Sequence, residues 1–323
     1  MIIKKNFVDE FKKKKYGFFK NASIQVCEWN RDALRTNEKE HCYKQDFYGA
    51  DTISCHQIAP TTFWCNNSCV FCWRPKEYMG TKPENVPAPE EMVENLIKER
   101  KKLLMGFKGN DKVKSKTFDK SMEQKHWAIS LSGEPTLYKQ LPELIKYLKD
   151  RKGTETVFLV SNGQNPEMLW KLKETKSLPT QLYISMVAPE EKLFKTITCN
   201  KEKNGWKKYL RSLAMLKLLG TRTVIRFTLI KGKNDNKEIL KQVAEVLETV
   251  QSDFIEIKSY MWIGMSRKRL VEDNMPTHAN IKKVTKDLLK LMPSYKFENE
   301  KEKSRIILLK NKKSKYKTKI INR

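Results

Sequence analysis

The sequence lacks any long apolar run: nothing in its 323 residues approaches the roughly 20 consecutive apolar residues that span a bilayer. Its first residues, MIIKKNFVDEFKKKKYGFF, also lack the apolar segment and the small-residue cleavage site of a signal peptide. Internal repeats of the solenoid or propeller kind are missing as well. These absences predict a cytoplasmic protein without a membrane anchor. The length suits one large α/β domain or two ordinary ones.

Acidic residues are a minority, because 38 Asp and Glu stand against 65 Lys and Arg and leave a net charge of +27. One interpretation is an ordinary solvated surface that happens to be rich in lysine. The other is a polyanionic partner, because such an excess of positive charge attracts phosphate backbones and releases their counterions. A membrane surface suits the chain less well, since no basic amphipathic helix with bulky apolar anchors is evident.

From about residue 58 onward, apolar strand-like runs alternate with stretches of helical periodicity. The strand-like runs cover residues 58–65, 127–131, 156–160, 182–186, 223–230, 254–260 and, late in the chain, 305–310. The helical stretches cover residues 89–105, 141–150, 208–220 and 236–250. Buried strands separated by amphipathic helices favour a parallel sheet with right-handed crossovers. Six such units predict an α/β fold, a partial (β/α)6 barrel of the TIM type with its chemistry at the C-terminal ends of the strands.

Three segments fall outside this alternation. Residues 1–57 show little β/α regularity and are predicted to form an N-terminal extension to a core of residues 58–310. Residues 106–125 are predicted to form a basic, glycine-containing loop. The basic tail of residues 311–323 is expected to be frayed.

Cysteine is also scarce, with seven in the chain, yet three of them crowd into CNNSCVFCW, residues 65–73. In a reducing compartment, clustered cysteines indicate metal or cluster ligands rather than disulfides. A structural zinc site usually has four protein ligands in paired sets, whereas Cys65, Cys69 and Cys72 have no histidine close behind them. Three thiolates suit a 4Fe–4S cluster with one iron left open. A zinc site and incidental cysteines are the alternatives.

The pattern C-x3-C-x2-C after the first predicted strand, with Phe71 before the last cysteine, resembles the radical S-adenosylmethionine (SAM) superfamily. This resemblance implies that the open iron of the cluster binds the amino and carboxylate groups of SAM, which is then cleaved reductively to a 5′-deoxyadenosyl radical. The segment SLSGEPTLY, residues 130–138, resembles the Gly-Gly-Glu-type motif of the superfamily, with serine in place of the first glycine. The SAM contacts implied are Ser132, Gly133, Glu134, Asn162, Ser185 and Arg226. A simple Asn-Gly turn at Asn162 and an ion-paired strand arginine at Arg226 are the alternatives.

Three further cysteines, Cys27, Cys42 and Cys55, lie upstream with the spacing C-x14-C-x12-C. On spacing alone, three unrelated buried thiols are the default interpretation. Their place just before a core that resembles the radical SAM type favours a second 4Fe–4S cluster, again with one iron lacking a protein ligand. Cys199, alone at the end of a helix, is expected to be structural.

A closer resemblance is carried by eight segments between about residue 23 and residue 310. They are CYKQDFYG, CNNSCVFCWR, ISLSGEPTLY, VSNG, PTQLYIS, RTVIRFTLIKG, IEIKSYMWIGMSRKRL and NMPTH. Together they resemble the archaeal tRNA 4-demethylwyosine synthase family. That resemblance implies two 4Fe–4S clusters, pyruvate as co-substrate and a tRNA(Phe) substrate with N1-methylguanosine just 3′ of the anticodon. It also implies an external one-electron donor of the flavodoxin or ferredoxin type, and we expect a monomer.

Lys44 stands two residues after Cys42 and matches the CYK of that family, whereas Val187 replaces an aspartate that the family usually carries. A lysine amine activates pyruvate as a Schiff base only when its pKa is low enough for the neutral amine to exist. In the rival arrangement pyruvate binds the open iron of the second cluster, and a charged Lys44 steadies its carboxylate. By composition alone Lys44 would be a surface residue.

Aromatic and basic residues interleave in YMWIGMSRKRL, residues 260–270. Stacking on an unstacked base and contact with phosphate are the roles predicted for a tRNA-binding set of Tyr260, Trp262, Arg267, Lys268 and Arg269. A strand end that runs into a solvated basic segment is the alternative.

Two other functions of the protein stay open. One is a methylthiotransferase, for which residues 296–323 are short of the usual RNA-binding barrel, and the other is a zinc-stabilised RNA-binding protein without catalysis.

Overall fold

A ten-stranded mixed sheet organises the protein, which a computed structural model describes over residues 5–321. The strands are β1 Tyr16–Phe19, β2 Ala22–Gln25, β3 Cys55–Ala59, β4 His126–Ile129, β5 Thr156–Ser161, β6 Gln181–Met186, β7 Arg222–Leu229, β8 Phe254–Ser259, β9 Tyr295–Lys301 and β10 Ile306–Asn311. The helices are α1 Lys5–Lys13, α2 Glu28–Arg35, α3 Tyr43–Tyr48, α4 Pro89–Lys108, α5 Ser115–Met122, α6 Leu141–Asp150, α7 Pro166–Glu174, α8 Glu191–Thr198, α9 Gly205–Leu219, α10 Lys237–Val250 and α11 His278–Leu291. None of the helices in the described range has the length and apolar content needed to cross a bilayer. The start of the segment examined for a signal peptide and the last two tail residues lie outside that range.

Six parallel strands, β3 to β8, form the core of the sheet and follow one another in sequence order. On one side the antiparallel hairpin of β1 and β2 joins β3, with Ile24 opposite Ile58. On the other side β10 runs antiparallel to β8, with Leu308 opposite Glu256, and β9 follows it. Over the described residues β1 and β9 are the outer strands and do not pair with each other, so the barrel is open. The predicted partial (β/α)6 barrel is confirmed.

Alternating side chains of these strands build two apolar cores on opposite faces of the sheet. The outward-facing set, which includes Trp127 and Ile225, packs beneath the helices. The inward-facing set includes Phe158, Tyr183 and Phe254 and fills the lower part of the barrel. Because both faces are covered, the core strands are nearly continuous apolar runs, and the sequence pattern located them for that reason.

Helix α3 closes the floor of the barrel, at the N-terminal ends of the strands. Its Phe47 and Tyr48 belong to the inward-facing core together with Phe254. Gly49 ends the helix with φ +75°, and a Cβ at that position would lie 2.4 Å from the carbonyl oxygen of Ile321. The N-terminal extension is therefore built into the barrel, and the predicted boundary at residue 58 falls inside β3.

Two predicted boundaries differ from the structure for local reasons. The first core strand was expected to reach residue 65 but ends at Ala59, because Pro60 cannot donate to the ladder. The predicted loop of residues 106–125 is wrong in part, since α4 continues to Lys108 and α5 lies within the segment. Phe118 of α5 packs in a small separate core, and one apolar anchor in so short a helix gives little periodic signal.

The expectation of a frayed tail is wrong for residues 312–321. Ser314, Tyr316, Thr318 and Ile320 are half-buried, while the lysines between them are exposed. The guanidinium of Arg222 donates to the carbonyl oxygens of Lys317 and Thr318, the latter at 3.0 Å, and the amide of Ile320 donates to the carbonyl oxygen of Tyr48 at 2.9 Å. The tail straps the barrel floor and holds α3 against it.

Removing residues 315–323 should lower the free energy of unfolding by roughly 1–3 kcal/mol, because Tyr316 and Ile320 lose their packing and Arg222 loses its acceptors. Urea unfolding measures this change. The matched control replaces Lys313, Lys315 and Lys317 by Gln, which removes positive charge but keeps the inward-facing side chains. Equal stability of the truncated and full-length chains would show that the strap contributes nothing.

Candidate active site

The inward-facing positions near the C-terminal ends of the strands are polar, in contrast to the apolar floor. The half-buried residues at these positions are Gln57, Ser130, Ser185, Arg226, Thr228 and Lys258. Active sites of barrels gather at this end of the strands. Two cysteine groups accompany this interior: the first triplet (Cys65, Cys69, Cys72) lies in the loop after β3, and the second triplet (Cys27, Cys42, Cys55) lies by the floor.

The loop of the first triplet is pinned to a neighbouring loop through its backbone. The Ser68 amide donates to the carbonyl oxygen of Thr198 at 2.8 Å. Burial raises the pKa of the Cys69 thiol well above its ordinary value, and the neighbouring thiols of Cys65 and Cys72 add to the effect. Burial likewise raises the pKa of Cys65 to about 12. The three thiols are therefore grouped and half-buried, which is compatible with the predicted ligand set.

Arg269 fastens this loop from the other side. Its guanidinium donates to the carbonyl oxygen of Val70 at 3.1 Å and to that of Cys72, and it pairs with Glu77 at 2.5 Å. A side chain that the sequence analysis assigned to tRNA is thus engaged within the protein. It joins the segment after β8 to the first triplet.

The turn after β4 fits tightly against the same loop. Gly133 has φ +70°, and a Cβ there would lie 1.8 Å from the carbonyl oxygen of Thr61, so the position requires glycine. The hydroxyl of Ser132 donates to a backbone carbonyl oxygen of the loop at 2.8 Å. The amide of Glu134 donates to the carbonyl oxygen of Trp64 at 2.7 Å. The turn and the first triplet therefore form one unit.

Glu134 is buried, and both of its carboxylate oxygens accept hydrogen bonds from the protein. The hydroxyls of Thr136 and Ser161 donate to Oε1 at 2.7 and 2.8 Å, and the amide of Asn162 donates to Oε2 at 2.8 Å. Burial raises the pKa of this carboxyl, against the effect of these hydrogen bonds. The side chain ties the β4 turn to the end of β5. The contact of the SAM ammonium with the backbone and carboxylate of residues 132–134 stays a prediction.

Asn162, Ser185 and Arg226 reach the interior from three successive strands. The Nδ2 group of Asn162 donates to Asn66 at 2.7 Å and lies 3.7 Å from the sulfur of Cys65. Ser185 is half-buried and stands opposite Arg226 in the register of β6 and β7. Asn162 is therefore beside the first triplet, and the SAM contacts of all three residues stay predictions.

The fold brings the second triplet together from three elements. Cys27 and Cys42 are the N-cap residues of α2 and α3, and Cys55 begins β3. Burial raises the pKa of the Cys27 thiol to about 12, with Cys42 and Cys55 as the next causes. Helix N-termini favour negative charge, so the two N-cap positions suit thiolate ligands. Three cysteines that are far apart in the sequence thus become neighbours.

Both triplets have the donor chemistry of iron–sulfur ligands. All six thiols are free of disulfides, and burial raises the pKa of each, so that ligation would displace protons. Within residues 5–321 no three His, Cys, Asp or Glu side chains converge as the ligands of a single metal ion do. The fit to clusters therefore rests on the thiol chemistry and the grouping in threes.

Lys44 lies at the barrel floor with 8% of its surface exposed. Its Nζ atom is 4.3 Å from the centre of the Phe158 ring and 5.3 Å from that of Tyr183. Burial lowers the pKa of this amine, and the nearby Cys55 thiol acts in the opposite direction. Lys44 is therefore not the surface residue that composition alone suggests.

Glu256 and Lys258, which are not among the residues predicted from the sequence, project from β8 into the interior. Glu256 is fully buried and accepts hydrogen bonds from Arg226 Nε and from the Tyr48 hydroxyl, each at 2.8 Å. Burial lowers the pKa of Lys258 to about 8, with Arg226 as the next cause. A signal was present, because charged residues alternate with apolar ones in FIEIKS. In a strand covered on both faces such residues mark the interior.

The predicted tRNA-binding segment is accessible only in part. Tyr260 is 2% exposed and its hydroxyl donates to Ser266 at 2.9 Å, so its ring is not accessible to a base in this structure, and its stacking role stays a prediction. Trp262 is half-buried, and its indole N–H donates to a backbone carbonyl oxygen. Arg267 and Lys268 are exposed, and the Arg267 guanidinium lies 4.6 Å from the centre of the Trp262 ring. The accessible charge of the segment is therefore at these two residues.

Val187 and Cys199, two further residues singled out from the sequence, lie in a core and at the surface respectively. Val187 is buried in the outward-facing core, and its carbonyl oxygen accepts a hydrogen bond from Asn234 at 2.8 Å. Cys199 is exposed at the C-cap of α8, with φ 43°. An apolar side chain at position 187 matches its apolar neighbours, whereas the exposure of Cys199 gives no support to a structural role.

Comparison with known proteins gives two family models that match consecutive parts of the chain. Residues 59–243 match the family model of the radical SAM superfamily, and residues 249–311 match that of wyosine base formation. The S-adenosyl-L-methionine-dependent tRNA 4-demethylwyosine synthase of Pyrococcus abyssi is 39% identical to this chain over 93% of the chain and 86% of its own length. The chain belongs to the tRNA 4-demethylwyosine synthase family. The family membership expected from the sequence is confirmed.

Solved structures of this synthase family agree with the fold. An archaeal TYW1 structure aligns with a TM-score of 0.80 at 33% identity and covers 98% of this chain and all of the other. A structure of TYW1 with a lysine–pyruvate adduct bound aligns with a TM-score of 0.87 at 36% identity and covers 99% of this chain and all of the other. The open barrel, including its N-terminal part, is therefore shared within the family.

Replacing Arg269 by Ala should loosen the loop of the first triplet, because the carbonyl oxygens of Val70 and Cys72 lose their donor. We expect the iron retained after anaerobic reconstitution to fall toward the roughly four atoms of the predicted second cluster. Iron analysis of the purified protein measures this. The matched control, Arg267→Ala with Lys268→Ala, removes exposed charge and should retain all of its iron. Full iron retention by Arg269→Ala would contradict the role of Arg269 as a clasp.

Proposed function

We propose that this chain converts N1-methylguanosine next to the anticodon of tRNA(Phe) into 4-demethylwyosine, with pyruvate and SAM as co-substrates. The observation that carries the proposal is Lys44, a buried amine between aromatic rings beside the second triplet. The match to the wyosine base formation model supports the identity of the product. The name of the Pyrococcus abyssi relative supports both SAM and tRNA as partners.

The first triplet holds a 4Fe–4S cluster and leaves one iron for SAM. When bound, this cluster supplies the electron that cleaves SAM reductively. The residues of the chain hold SAM in position: the backbone of residues 132–134 receives its ammonium, and Asn162, Ser185 and Arg226 provide ribose and carboxylate contacts. The backbone geometry at Gly133 and the place of Asn162 beside Cys65 support this assignment.

The second triplet holds a second 4Fe–4S cluster at the barrel floor. The electrostatic surroundings support it, because Lys44 and Lys258 both lower the pKa of the Cys42 thiol against the larger effect of burial. Lys258 therefore places a positive charge near a group of thiolates, whose cluster would carry net negative charge. An external donor of the flavodoxin or ferredoxin type supplies electrons, and the enzyme acts as a cytoplasmic monomer.

Lys44 binds pyruvate as a Schiff base: its neutral amine attacks the ketone carbonyl, a C=N bond forms and the carbonyl oxygen leaves as water. Burial lowers the pKa of Lys44, which favours the neutral amine. The Phe158 and Tyr183 rings shield the imine from hydrolysis. The TYW1 structure described with a lysine–pyruvate adduct supports this version over a charged Lys44 that only steadies the carboxylate. Lys258 then supplies a positive charge for the pyruvate carboxylate.

Borohydride added with pyruvate should fix a mass adduct on the peptide that contains Lys44, because reduction makes the imine permanent. Mass spectrometry of the digested protein locates the adduct. Lys44→Ala should lose both adduct and product while SAM cleavage continues uncoupled. Lys258→Ala is the comparison variant: it removes the buried amine proposed to contact the pyruvate carboxylate, so it should still trap pyruvate on Lys44 but only at higher pyruvate concentration. Full product formation by Lys44→Ala would contradict the assignment.

The tRNA approaches the C-terminal end of the barrel, where Arg267 and Lys268 contact its phosphates and the target base is unstacked into the interior. The net charge of +27 supports a polyanionic partner.

Arg267→Ala with Lys268→Ala should weaken tRNA binding and flatten its dependence on salt concentration. Binding that stays unchanged across a salt titration would remove these two residues from the interface.

An anaerobic assay tests the whole function with SAM, labelled pyruvate and tRNA(Phe) that carries or lacks N1-methylguanosine. Label should enter only the methylated tRNA. Replacement of Cys65, Cys69 and Cys72 by Ala should abolish 5′-deoxyadenosine yet leave about four irons on the second triplet. Label in unmethylated tRNA would contradict the substrate, and stoichiometric zinc without iron would contradict the enzyme.

A further inference from the structure

A fully buried arginine lies on the apolar face of α4. The buried residues of this helix are Pro89, Met92, Val93, Leu96, Ile97, Arg100, Leu104 and Phe107. Arg100 is 1% exposed and stands where the helical pattern calls for an apolar side chain. Removing a guanidinium from water is unfavourable unless an anion and hydrogen-bond acceptors compensate it. Its presence at this position therefore requires a partner.

The protein itself provides only part of that partner. Arg100 Nη2 lies 3.3 Å from the carbonyl oxygen of Ile53 and 3.5 Å from that of Ser121, and both distances are long for a charged donor. Within residues 5–321, Arg100 Nε and Nη1 have no hydrogen-bond partner. A guanidinium offers five N–H donors in a rigid planar fork. Most of the N–H donors of Arg100 therefore have no acceptor among these contacts.

The thiols of the second triplet are the groups that can supply a negatively charged acceptor for the Arg100 guanidinium. Burial lowers the pKa of Arg100 to about 10, and Cys55 and Cys27 are the groups that act in the opposite direction. His56 is also close, because Arg100 follows burial among the causes that lower the His56 pKa well below its ordinary value. His56 is therefore neutral and offers no anion. Arg100 Nη2 reaches the carbonyl oxygen of Ile53, two residues before Cys55. Among the described residues, Cys55 and Cys27 are the only charged groups that raise the pKa of Arg100.

We propose that Arg100 is the countercharge of the second cluster and donates hydrogen bonds to its sulfurs. The proposal rests on the proposed second 4Fe–4S cluster and adds a residue that the cysteine spacing does not indicate. A cluster held by three thiolates presents both the negative charge and the sulfur acceptors that the buried fork requires. Arg100 is a positioning residue, because it acts through the cluster rather than on pyruvate or the tRNA base.

This role predicts the direction of two changes. Net charge and hydrogen bonds to the sulfurs set the potential of an iron–sulfur cluster, and a nearby cation stabilises the more negative, reduced state. Loss of Arg100 should therefore make the cluster harder to reduce. In the iron-free chain the same charge has no anion, so its replacement by an apolar side chain should not weaken the fold. If Arg100 only linked Ile53 to Ser121, its replacement would instead lower the stability of the iron-free chain and leave the cluster potential unchanged.

The test uses the full chain with Cys65, Cys69 and Cys72 replaced by Ala, so that only the second cluster contributes. In this parent, Arg100→Met removes the charge and Arg100→Lys keeps it. A redox titration followed by electron paramagnetic resonance should show a ratio of reduced to oxidised cluster about tenfold lower for Arg100→Met at a fixed potential near the parent midpoint, a shift of about 59 mV for one electron. Arg100→Lys should recover part of that shift. A chelator should remove iron severalfold faster from Arg100→Met.

A matched control is Arg222→Met, because Arg222 is also buried but donates to Gln181 and to carbonyl oxygens of the tail. This control should lower the stability of the iron-free chain and leave the cluster potential unchanged. Thermal unfolding of the iron-free Arg100→Met chain should give a melting temperature no lower than that of its parent.

Three outcomes decide the proposal. An unchanged potential in Arg100→Met, with the cluster still bound, overturns the role of Arg100 and leaves the second cluster intact. An iron-free Arg100→Met chain that fails to fold or melts much earlier assigns Arg100 to the fold and also overturns it. A parent chain that binds no iron shows that the second cluster itself is wrong, and the role of Arg100 falls with it.

Discussion

Glu256 is a carboxylate with no exposed surface, and the position of the barrel floor depends on how that charge is paired. Arg226 Nε and the Tyr48 hydroxyl both donate to it at 2.8 Å, which ties β7, β8 and α3 to one point. Helix α3 has Cys42 as its N-cap and carries Lys44 in its first turn. A buried carboxylate without partners would strongly destabilise the fold. The pairing of Glu256 therefore also positions Cys42, a proposed cluster ligand, and Lys44, the proposed reactive amine.

The two cysteine groups are held in different ways. The first triplet shares a single loop, and the protein fixes it through the backbone, with Arg269 and the tight turn at Gly133 as its main contacts. The second triplet has one cysteine on each of three elements, and the side chains of Lys44, Lys258 and Arg100 act on its thiols. The interior between them is lined by polar side chains from successive strands. A substrate in that interior can meet groups from both ends.

The parallel core of the sheet was predictable because its strands are covered on both faces and are apolar almost throughout. The first triplet was predictable because its spacing is local, so that three ligands on one short loop must lie together. Lys44 was proposed from its match to a family motif, and its burial then agreed with the proposed chemistry. In contrast, the structure places Tyr260 in the core and Arg267 and Lys268 at the surface. An interleaved pattern of aromatic and basic residues does not show which of its members are buried. In the tail, lysines alternate with residues that the structure shows to be half-buried. The high charge of the tail led to the prediction of a frayed end instead of an ordered strap.

The sequence by itself determined the class of the fold, the first cysteine site and the family, because each depends on periodicity or on spacing within a short segment. Tertiary structure alone decided that Cys27, Cys42 and Cys55 meet, that Glu256 anchors the floor, and that Arg269 is a clasp. It also decided that Arg100 points inward without a full set of partners. These features depend on contacts between elements far apart in the chain and on the face to which each side chain is turned. The physical reason is that burial of a charge can be judged only once its neighbours, which the chain brings from elsewhere, are in place.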